Sequence, residues 1–397
     1  MVSPWQGTPG TISGASATVG IMSTTHPPVA TAAVLVAPGN IELREFEIPV
    51  PGDDEILVKV EGCGICGTDV HEYRRDPFAL IPVVLGHEGT GTVAALGRNV
   101  KADSQGEPLH VGDHVVTSVL VPDDCPFTAD FPHRSNLSDA LGVYGLIPDS
   151  ADRHLNGYFA THLVIRAGST VFKVNGMSLK QRVLIEPMAV TVHALERAKT
   201  TGLLNFASTV VVQGCGPIGL MMIATLFAYG IEKIIAVDGV PKRLEAARRM
   251  GAALTLNINT MDAAARLAAV QAQTKGRGAD FAFQCTGSPE AASAVWKYVR
   301  RGGGLCEVGF FMDNGDCAIN PHEDLCKKEI TAVGSWVYTP EEYPMAIAMI
   351  QHLVRIGVPI EELVTHVFRL ADINQAMETN IAMEGLKLAV VPELPVL

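Results

Sequence analysis

Three residue types that bind soft or borderline dications lie close together in the first third of the chain. Residues 62–71 have the sequence GCGICGTDVH, which contains Cys66, and His87 and Glu88 follow shortly afterwards. Thiolate, imidazole and carboxylate are the ligands that zinc accepts in proteins. The spacing therefore predicts a zinc site, in a segment whose composition indicates β-strand and turn.

The completion of this site leaves alternatives open. Cys63 and Cys66 form a CxxC pair, which also suits a redox motif or half of a structural zinc knuckle. A redox pair normally begins a helix, and the chain has no second CxxC for a knuckle. We therefore expect Cys66 alone of the two to bind metal, with His87 and either Glu88 or Glu186. Three protein ligands and an exchangeable water define a catalytic zinc site.

A second chemical signal is a glycine-rich turn in the middle of the chain. The apolar run at 209–213 predicts a strand, and an apolar helix is expected at 217–229. Between them the turn has the form of a dinucleotide-binding fingerprint, with the candidate residues Gly214, Gly216, Pro217, Ile218 and Gly219. The three glycines allow the tight turn, the approach of a pyrophosphate and close helix–strand packing, and the helix N-terminus attracts the phosphates.

An acidic residue follows this turn at the expected distance. Asp238 ends the next predicted strand, at 234–238, where its carboxylate would accept the two adenosine ribose hydroxyls. A carboxylate there repels a 2′-phosphate, which predicts NAD rather than NADP. Arg243 is a further candidate for contact with the ribose or a phosphate. The alternative for Asp238 is an N-cap of the helix predicted at 241–250.

The elements around these motifs fall into two groups. Short β-runs broken by Gly, Pro and Asp extend from about 31 to 173, and a helix is expected at 187–200. Strands and helices then alternate, which predicts a parallel sheet with βαβ connections. Further strands are predicted at 280–285 and 305–309, with a helix at 289–299 and a turn at 301–304. A last helix is predicted at 340–355.

Composition limits the class of protein. The 397 residues carry 30 Lys and Arg against 42 Asp and Glu, a net charge of -12 that makes nucleic acid a poor partner. No apolar run has the length of a membrane span. The eight scattered cysteines suit a reduced, cytoplasmic protein. Residues 1–28, rich in Gly, Ser, Thr, Pro and Ala, are expected to be disordered, and Met22 competes with Met1 as the true start.

Taken together, the motifs resemble those of the zinc-dependent alcohol dehydrogenases of the medium-chain dehydrogenase/reductase superfamily. The similarity extends from about residue 31 onwards and is strongest to the polyol (sorbitol), butanediol and threonine dehydrogenases. It implies an α/β protein in which a GroES-like β-rich catalytic domain is interrupted by a Rossmann domain with a doubly wound parallel sheet. The predicted limits are 29–187 and 334–397 for the catalytic domain, and 188–333 for the NAD-binding domain.

The resemblance also implies roles for individual residues. Cys66 and His87 would be zinc ligands, with Glu88 and Glu186 as acidic members of the site. Thr68 would hydrogen-bond the substrate hydroxyl, and His71 would pass its proton to solvent. Because a bound dication lowers the pKa of an alcohol, the implied reaction is hydride transfer between an alcohol, expected to be secondary or a polyol, and NAD.

One departure from the family concerns the lobe at roughly 121–140, where many relatives bind a second, structural zinc through four cysteines. This lobe contains only Cys125, so one catalytic zinc and no structural zinc are expected. Packing of Phe127, Phe131 and Leu137 is expected to hold the lobe instead. A homodimer or homotetramer is the expected assembly. The competing interpretations are a zinc-free quinone or enone reductase of the same superfamily and a non-catalytic nucleotide-binding protein with the same fold.

Overall fold

The computed structural model describes residues 28–151 and 153–393. The disorder predicted for 1–28 and the choice between Met1 and Met22 therefore lie outside the described residues, apart from residue 28. Among the helices of the described ranges, none combines the length and apolar character that crossing a lipid bilayer requires.

The first half of the chain is rich in short strands. These strands are β1 (Val29–Ala37), β2 (Asn40–Glu47), β3 (Ile56–Gly64), β4 (Val83–Val84), β5 (Glu88–Leu96), β6 (His114–Thr117), β7 (Leu120–Val121), β8 (Gly142–Val143), β9 (His162–Ile165) and β10 (Val171–Lys173). The helices of this part are α1 (Gly67–Arg75), α2 (Pro126–Asp130), α3 (Leu179–Arg182) and α4 (Ile185–Lys199).

Strands and helices alternate in the next part. In chain order they are β11 (Thr209–Gln213), α5 (Pro217–Ala228), β12 (Lys233–Asp238), α6 (Pro241–Arg249), β13 (Leu254–Asn257), α7 (Ala263–Gln273), β14 (Ala279–Gln284), α8 (Pro289–Tyr298), β15 (Val299–Glu307) and β16 (Thr331–Gly334). The chain continues through α9 (Glu342–Arg355), β17 (Val364–Arg369), α10 (Ile373–Ile381) and β18 (Lys387–Val391).

Two large sheets organise these elements. One is a six-stranded parallel sheet in the order β13-β12-β11-β14-β15-β16, and the other is a seven-stranded sheet in the order β10-β6-β5-β3-β18-β17, with β9 also paired to β3. Strand β18, near the end of the described chain, pairs antiparallel with β3, so the chain returns to its first sheet after building the second.

The parallel sheet is buried on both faces, as the continuous apolar sequence of β11 requires. Val210 and Val212 face one apolar cluster, which includes residues of α4, α5 and α9. Val211 faces the other, where Val270 of α7 and Val295 of α8 pack. The alternation of neighbouring side chains between two helical layers defines a doubly wound α/β sheet.

Two local predictions were wrong. The segment after Cys66 is a helix, α1, rather than strand and turn, because the Asp69 carboxylate accepts the backbone N–H of Cys66 and caps the first turn. The turn predicted at 301–304 lies inside β15. On β14, Ala279 pairs with Val299 but Phe281, two residues later, pairs with Gly304. The residues between Val299 and Gly304 therefore form an irregularity within one strand.

Helix α1 also buries a carboxylate with no counter-charge. Glu72 is 0% exposed, and neither of its carboxylate oxygens has a hydrogen-bond partner. Burial, and then the neighbouring Asp76, raises its pKa to about 7. Because the folded pKa exceeds the unfolded value, the folded state holds a proton that the unfolded state releases. Stability therefore falls as pH rises from about 4.5 to 7.

The Glu72→Gln variant should remove this penalty. We expect its free energy of unfolding to match the wild type at pH 4 and to exceed it by about 2 to 3 kcal/mol at pH 8. Urea denaturation at both pH values measures the difference. Glu45→Gln, on an exposed stretch of β2, is the matched control and should show no such pH-dependent gain. An equal effect of Glu72→Gln at both pH values would show that the carboxylate does not titrate in this window.

Candidate active site

The predicted metal ligands meet where β3, α1 and β5 adjoin. Cys66 caps the start of α1, directly after β3, while His87 precedes β5 and Glu88 begins it. Gly64 pairs with Glu88 in the antiparallel ladder between β3 and β5. As a result, one ligand atom each of Cys66, His87 and Glu88 lies within 4.8 Å of the others. Residues some 20 positions apart in sequence thus form one cluster.

Asp69 holds two of these ligands in place. Its carboxylate is 0% exposed and accepts the backbone N–H groups of Cys66 at 2.8 Å and Gly86 at 3.1 Å. Its Oδ1 also lies 3.5 Å from Nδ1 of His87, a nitrogen that makes no hydrogen bond. Nδ1 of His87 therefore faces Asp69, as the support of a ligating imidazole requires.

The electrostatics of the cluster suit a cation. Burial alone would lower the pKa of His87, but the negative charges of Asp69 and Cys66 raise it well above its usual value. A donor set of cysteine sulfur, imidazole and carboxylate is one that zinc binds. Cys66, His87 and Glu88 are therefore chemically suited to bind the zinc ion that the sequence predicts.

Glu88 has a partner that sequence reasoning missed. The Nζ of Lys387, on β18, lies 2.5 Å from both of its carboxylate oxygens and also donates to the carbonyl of Ile65. Both side chains are almost completely buried, at 2% and 1% exposure. Lys387 therefore compensates the charge of Glu88, a role that no local sequence pattern indicated.

Glu186 lies beside the cluster rather than within it. It lies in the first turn of α4 and is buried. Its Oε1 accepts a hydrogen bond of 2.7 Å from the hydroxyl of Tyr338, which in turn lies 3.3 Å from the hydroxyl of Tyr343. Burial raises the pKa of Glu186 to about 7. Glu186 is outside the tight cluster but lines the same cavity as Cys66 and His87.

Cys63 is not a member of this cluster. The tendency of redox pairs to begin a helix does not exclude a redox role for Cys63 and Cys66, because α1 does begin after Cys66. The structure supplies a better reason: Cys63 is 0% exposed, and its thiol donates to the carbonyl of Gly64. Burial raises the pKa of this thiol well above its usual value. A protonated, inaccessible thiol suits neither thiol exchange nor metal binding.

The two residues expected to handle the substrate hydroxyl and its proton both line the cavity beside the cluster. The Thr68 hydroxyl accepts a weak hydrogen bond from the Cys66 thiol at 3.7 Å. Nδ1 of His71 lies 3.3 Å from a guanidinium nitrogen of Arg75. Burial, and then the charges of Arg75 and Arg74, lower the pKa of His71. Its ring is consequently neutral at pH 7.

The glycine-rich turn connects β11 to α5 as predicted. Gly214 has a φ of +95°, and a Cβ there would lie 2.3 Å from the Thr286 side chain. A Cβ on Gly219 would lie 1.9 Å from the carbonyl oxygen of Gly214. At Gly216, in contrast, a Cβ would meet nothing within 4 Å, and this residue caps α5 without any side-chain hydrogen bond. The free N–H groups of the twelve-residue helix α5 therefore face open space that suits a pyrophosphate.

Asp238 ends β12 beside this turn. Its two carboxylate oxygens accept backbone N–H groups, Oδ2 from Cys215 at 2.7 Å and Oδ1 from Val240 at 2.8 Å. The N-cap of α6 is Val240, so the alternative role of Asp238 as that cap is wrong. Arg243 lies in the first turns of α6, and its charge opposes that of Asp238 in setting the pKa of the Cys215 thiol. Both charges therefore lie close to the turn.

The Asp238→Ser variant tests this placement. Asp238 predicts a preference for NAD over NADP, because its carboxylate would repel a 2′-phosphate. Removing that carboxylate should lower the predicted preference in kcat/KM by roughly a hundredfold. Fluorescence titration with NADH and NADPH provides a second measurement that does not depend on turnover. Asp262→Ser, at the exposed N-terminus of α7, is the control and should leave the preference unchanged. An unchanged preference in Asp238→Ser would place the adenosine ribose elsewhere.

The lobe at 121–140 is held differently from our expectation. Phe127 and Phe131 do contact each other, with ring centroids 5.1 Å apart, but Phe131 and Leu137 are substantially exposed. Polar contacts replace apolar packing. Cys125 lies 3.0 Å from the hydroxyl of Ser138, and further bonds join Asp123 with Thr128 and Asn136 with the carbonyl of Trp336.

A cavity of about 310 Å³ joins the metal-ligand cluster to the dinucleotide turn. Its walls include Cys66 and His87 on one side and Ile218, Cys285 and Val308 on the other. A nicotinamide that extends from the turn and a substrate at the cluster would therefore share one cavity.

Comparison with known proteins gives this arrangement a family. Residues 52–176 match the alcohol dehydrogenase GroES-like domain, and residues 217–352 match the zinc-binding dehydrogenase domain. The chain belongs to the zinc-type alcohol dehydrogenases of the medium-chain dehydrogenase/reductase superfamily. The predicted resemblance and the predicted α/β fold class, a GroES-like domain with a Rossmann domain, are thus confirmed. Membership implies zinc and a nicotinamide cofactor.

Individual relatives support the same assignment. The chain is 32% identical to sorbitol dehydrogenase of Bacillus subtilis over 381 residues, which cover 94% of this chain and 99% of that protein. It is 30% identical to D-xylulose reductase of Saccharomyces cerevisiae, with 87% and 93% covered. Among solved structures, an alcohol dehydrogenase from Thermotoga maritima superposes with a TM-score of 0.86 at 30% identity, covering 92% of this chain and 100% of that one.

Proposed function

We propose that the protein is an NAD-dependent, zinc-dependent dehydrogenase that interconverts an alcohol, secondary or polyol, and its carbonyl product. The observation that carries this proposal is the shared cavity, which places the Cys66, His87 and Glu88 cluster beside the dinucleotide turn. Hydride transfer needs the two reactants aligned in a space from which water is excluded. The names of the relatives, which include a sorbitol dehydrogenase and a D-xylulose reductase, support an alcohol as the substrate.

The metal would be held by Cys66 and His87, with Glu88 or Glu186 as the third protein ligand. Bound zinc supplies a Lewis acid that lowers the pKa of the substrate hydroxyl. The geometry favours Glu88 by proximity, while Lys387 and Tyr338 hold the two carboxylates in their present positions. One zinc per chain is proposed, because the lobe at 121–140 offers hydroxyls rather than thiolates around Cys125.

The remaining residues orient the substrate and move its proton. Thr68, 7% exposed and next to the Cys66 thiol, is placed to accept the proton of the substrate hydroxyl and pass it on. His71, neutral at pH 7, is the next acceptor towards solvent. Gly214, Gly216, Pro217, Ile218 and Gly219 would bind the cofactor pyrophosphate and nicotinamide, while Asp238 and Arg243 would bind the adenosine ribose of NAD.

The other proposed properties follow from composition and family. The eight cysteines of the described chain are all unpaired, which supports a reducing cytoplasmic setting. A small molecule is the proposed partner, with neither nucleic acid nor a membrane, and the proposed assembly is a homodimer or homotetramer. The ligand set argues against a zinc-free quinone or enone reductase, which would have no use for Cys66 and His87 together. The presence of Thr68 and His71 in the same cavity as Cys66, His87 and Glu186 argues against a non-catalytic protein.

The experiment combines metal analysis with turnover. Purified protein should contain about one zinc per chain and should form NADH from NAD and a secondary alcohol. Two zinc ions per chain would contradict the single-site proposal. NADH binding without any zinc and without alcohol oxidation would favour the zinc-free reductase. Failure to bind NADH would contradict both the zinc-dependent dehydrogenase and the zinc-free reductase.

A further inference from the structure

Part of the cavity wall is apolar. Its side chains come from the 118–148 segment, from the connection between β15 and β16 and from the loop after β16, and they are Val119, Val143, Leu146, Phe311, Trp336 and Val337. None of the described residues that line the cavity is a lysine or an arginine. A substrate that extends away from the metal ligands therefore contacts hydrocarbon and aromatic surface.

Few polar atoms remain for a second hydroxyl group. At the metal end, Oε1 of Glu186 already accepts a hydrogen bond from Tyr338, while Thr68 and His71 are assigned to the reacting hydroxyl and its proton. Along the rest of the cavity the polar side chains are Asn314, which lies beside Gly287, and Ser335. The Ser335 hydroxyl is buried and makes no hydrogen bond, so it offers one partner. A polyol of six carbons brings five hydroxyls besides the reacting one, and each that stays unpaired weakens binding.

Aromatic rings form the outer part of this wall. Phe311 stacks on Trp336 with ring centroids 4.8 Å apart at 24°, and Phe78 packs edge-on against Phe311 at 6.1 Å. Trp336 and Phe78 remain 39% and 42% exposed. The backbone of Trp336 is fixed by the hydrogen bond from Asn136 to its carbonyl. Because Phe311 and Trp336 both line the cavity, an apolar group that extends from the metal ligands would contact this stacked pair.

We propose that the substrate is a secondary alcohol, or the corresponding ketone, with an aromatic or branched aliphatic substituent rather than a polyol. This inference rests on the proposed dehydrogenase function and narrows its substrate class. In the oxidative direction the carbinol carbon loses a hydride to NAD, the hydroxyl loses a proton to the Thr68 and His71 path, and the ketone and NADH are formed. The substituent lies against Phe311, Trp336 and Val337.

The test compares kcat/KM of the zinc-loaded enzyme with NAD and four alcohols: 1-phenylethanol, 4-methyl-2-pentanol, erythritol and sorbitol. We expect the two apolar alcohols to exceed both polyols by at least a hundredfold. A binding measurement supplements turnover, since acetophenone should alter the fluorescence of enzyme-bound NADH at concentrations where fructose has no effect.

Substitutions in the apolar part of the cavity wall test whether these residues determine the substrate preference. Trp336→Ala should lower kcat/KM for 1-phenylethanol at least tenfold while changing that for 2-propanol, which is too small to reach the ring, much less. Phe206→Ala, a 75% exposed aromatic residue outside the cavity lining, is the matched control and should change neither value. Val337→Ser should lower the preference for apolar over polyol substrates.

The outcomes separate this inference from the function on which it rests. Turnover of polyols equal to or faster than that of the apolar alcohols would overturn the inference and leave the dehydrogenase proposal intact. Equal losses for 1-phenylethanol and 2-propanol in Trp336→Ala would also overturn it, since the ring would then act only on the fold. No turnover of any alcohol by zinc-loaded, NADH-binding protein would instead contradict the proposed function.

Discussion

Cys66→Ser is expected to lose its bound zinc and at least a thousandfold in kcat/KM for a secondary alcohol. Serine has the same shape as cysteine and is slightly smaller, but it replaces a soft thiolate by a neutral hydroxyl, so the affinity for zinc falls. Loss of a metal that contributes several kcal/mol of charge stabilisation corresponds to about three orders of magnitude in rate. Zinc content by elemental analysis and steady-state NADH formation measure the two effects.

The control for this substitution is Cys317→Ser, at an exposed cysteine outside the cavity lining. It should retain both zinc and activity. NADH binding by Cys66→Ser should also persist, because the dinucleotide turn is built from other residues. Full zinc content together with activity within tenfold of wild type would show that Cys66 is not a ligand.

Lys387→Met is expected to produce the largest loss of stability among the single substitutions considered. Both members of the Lys387–Glu88 pair are buried, so the substitution leaves an uncompensated carboxylate in the interior. Removing one partner of a buried pair destabilises proteins by about 3 to 5 kcal/mol. Urea denaturation of the zinc-free protein at pH 7 measures this change without a contribution from the metal.

The double variant Lys387→Met with Glu88→Gln separates charge from packing. We expect it to recover most of the lost stability, because no buried charge remains. Lys327→Met is the matched control, since its ion pair with Glu323 is about half exposed and should contribute less than about 1 kcal/mol. A loss below 1 kcal/mol for Lys387→Met, or no recovery in the double variant, would contradict a charge-compensating role.

Local patterns predicted the cofactor side of the molecule well. The strand expected at 209–213 is β11, with the same bounds, and the helix expected at 217–229 is α5. These elements have continuous apolar sequences and a glycine-rich connection, and both signals act over a few residues. The need for glycine at 219 is equally local, because a Cβ there would meet the carbonyl oxygen of Gly214. At Gly214 a Cβ would instead meet Thr286, which is distant in sequence.

The metal side depended more on contacts that are distant in sequence. Helix α1 was mistaken for strand and turn because Gly64 and Gly67 suggested a turn, whereas the Asp69 cap decides the conformation. Lys387 lies 299 positions from Glu88 and carries no motif. Its role arises only when β18 pairs with β3. The hydrogen bond from Tyr338 to Glu186 likewise joins residues that are 152 positions apart.

Isotope transfer tests the central proposal most directly. A secondary alcohol carrying deuterium on its carbinol carbon is incubated with enzyme and NAD in ordinary water, and the reduced cofactor is analysed by mass spectrometry. Direct hydride transfer predicts NADH that carries one deuterium from the substrate. Reduced cofactor without the label, or no reduced cofactor from zinc-loaded protein, would contradict an alcohol dehydrogenase.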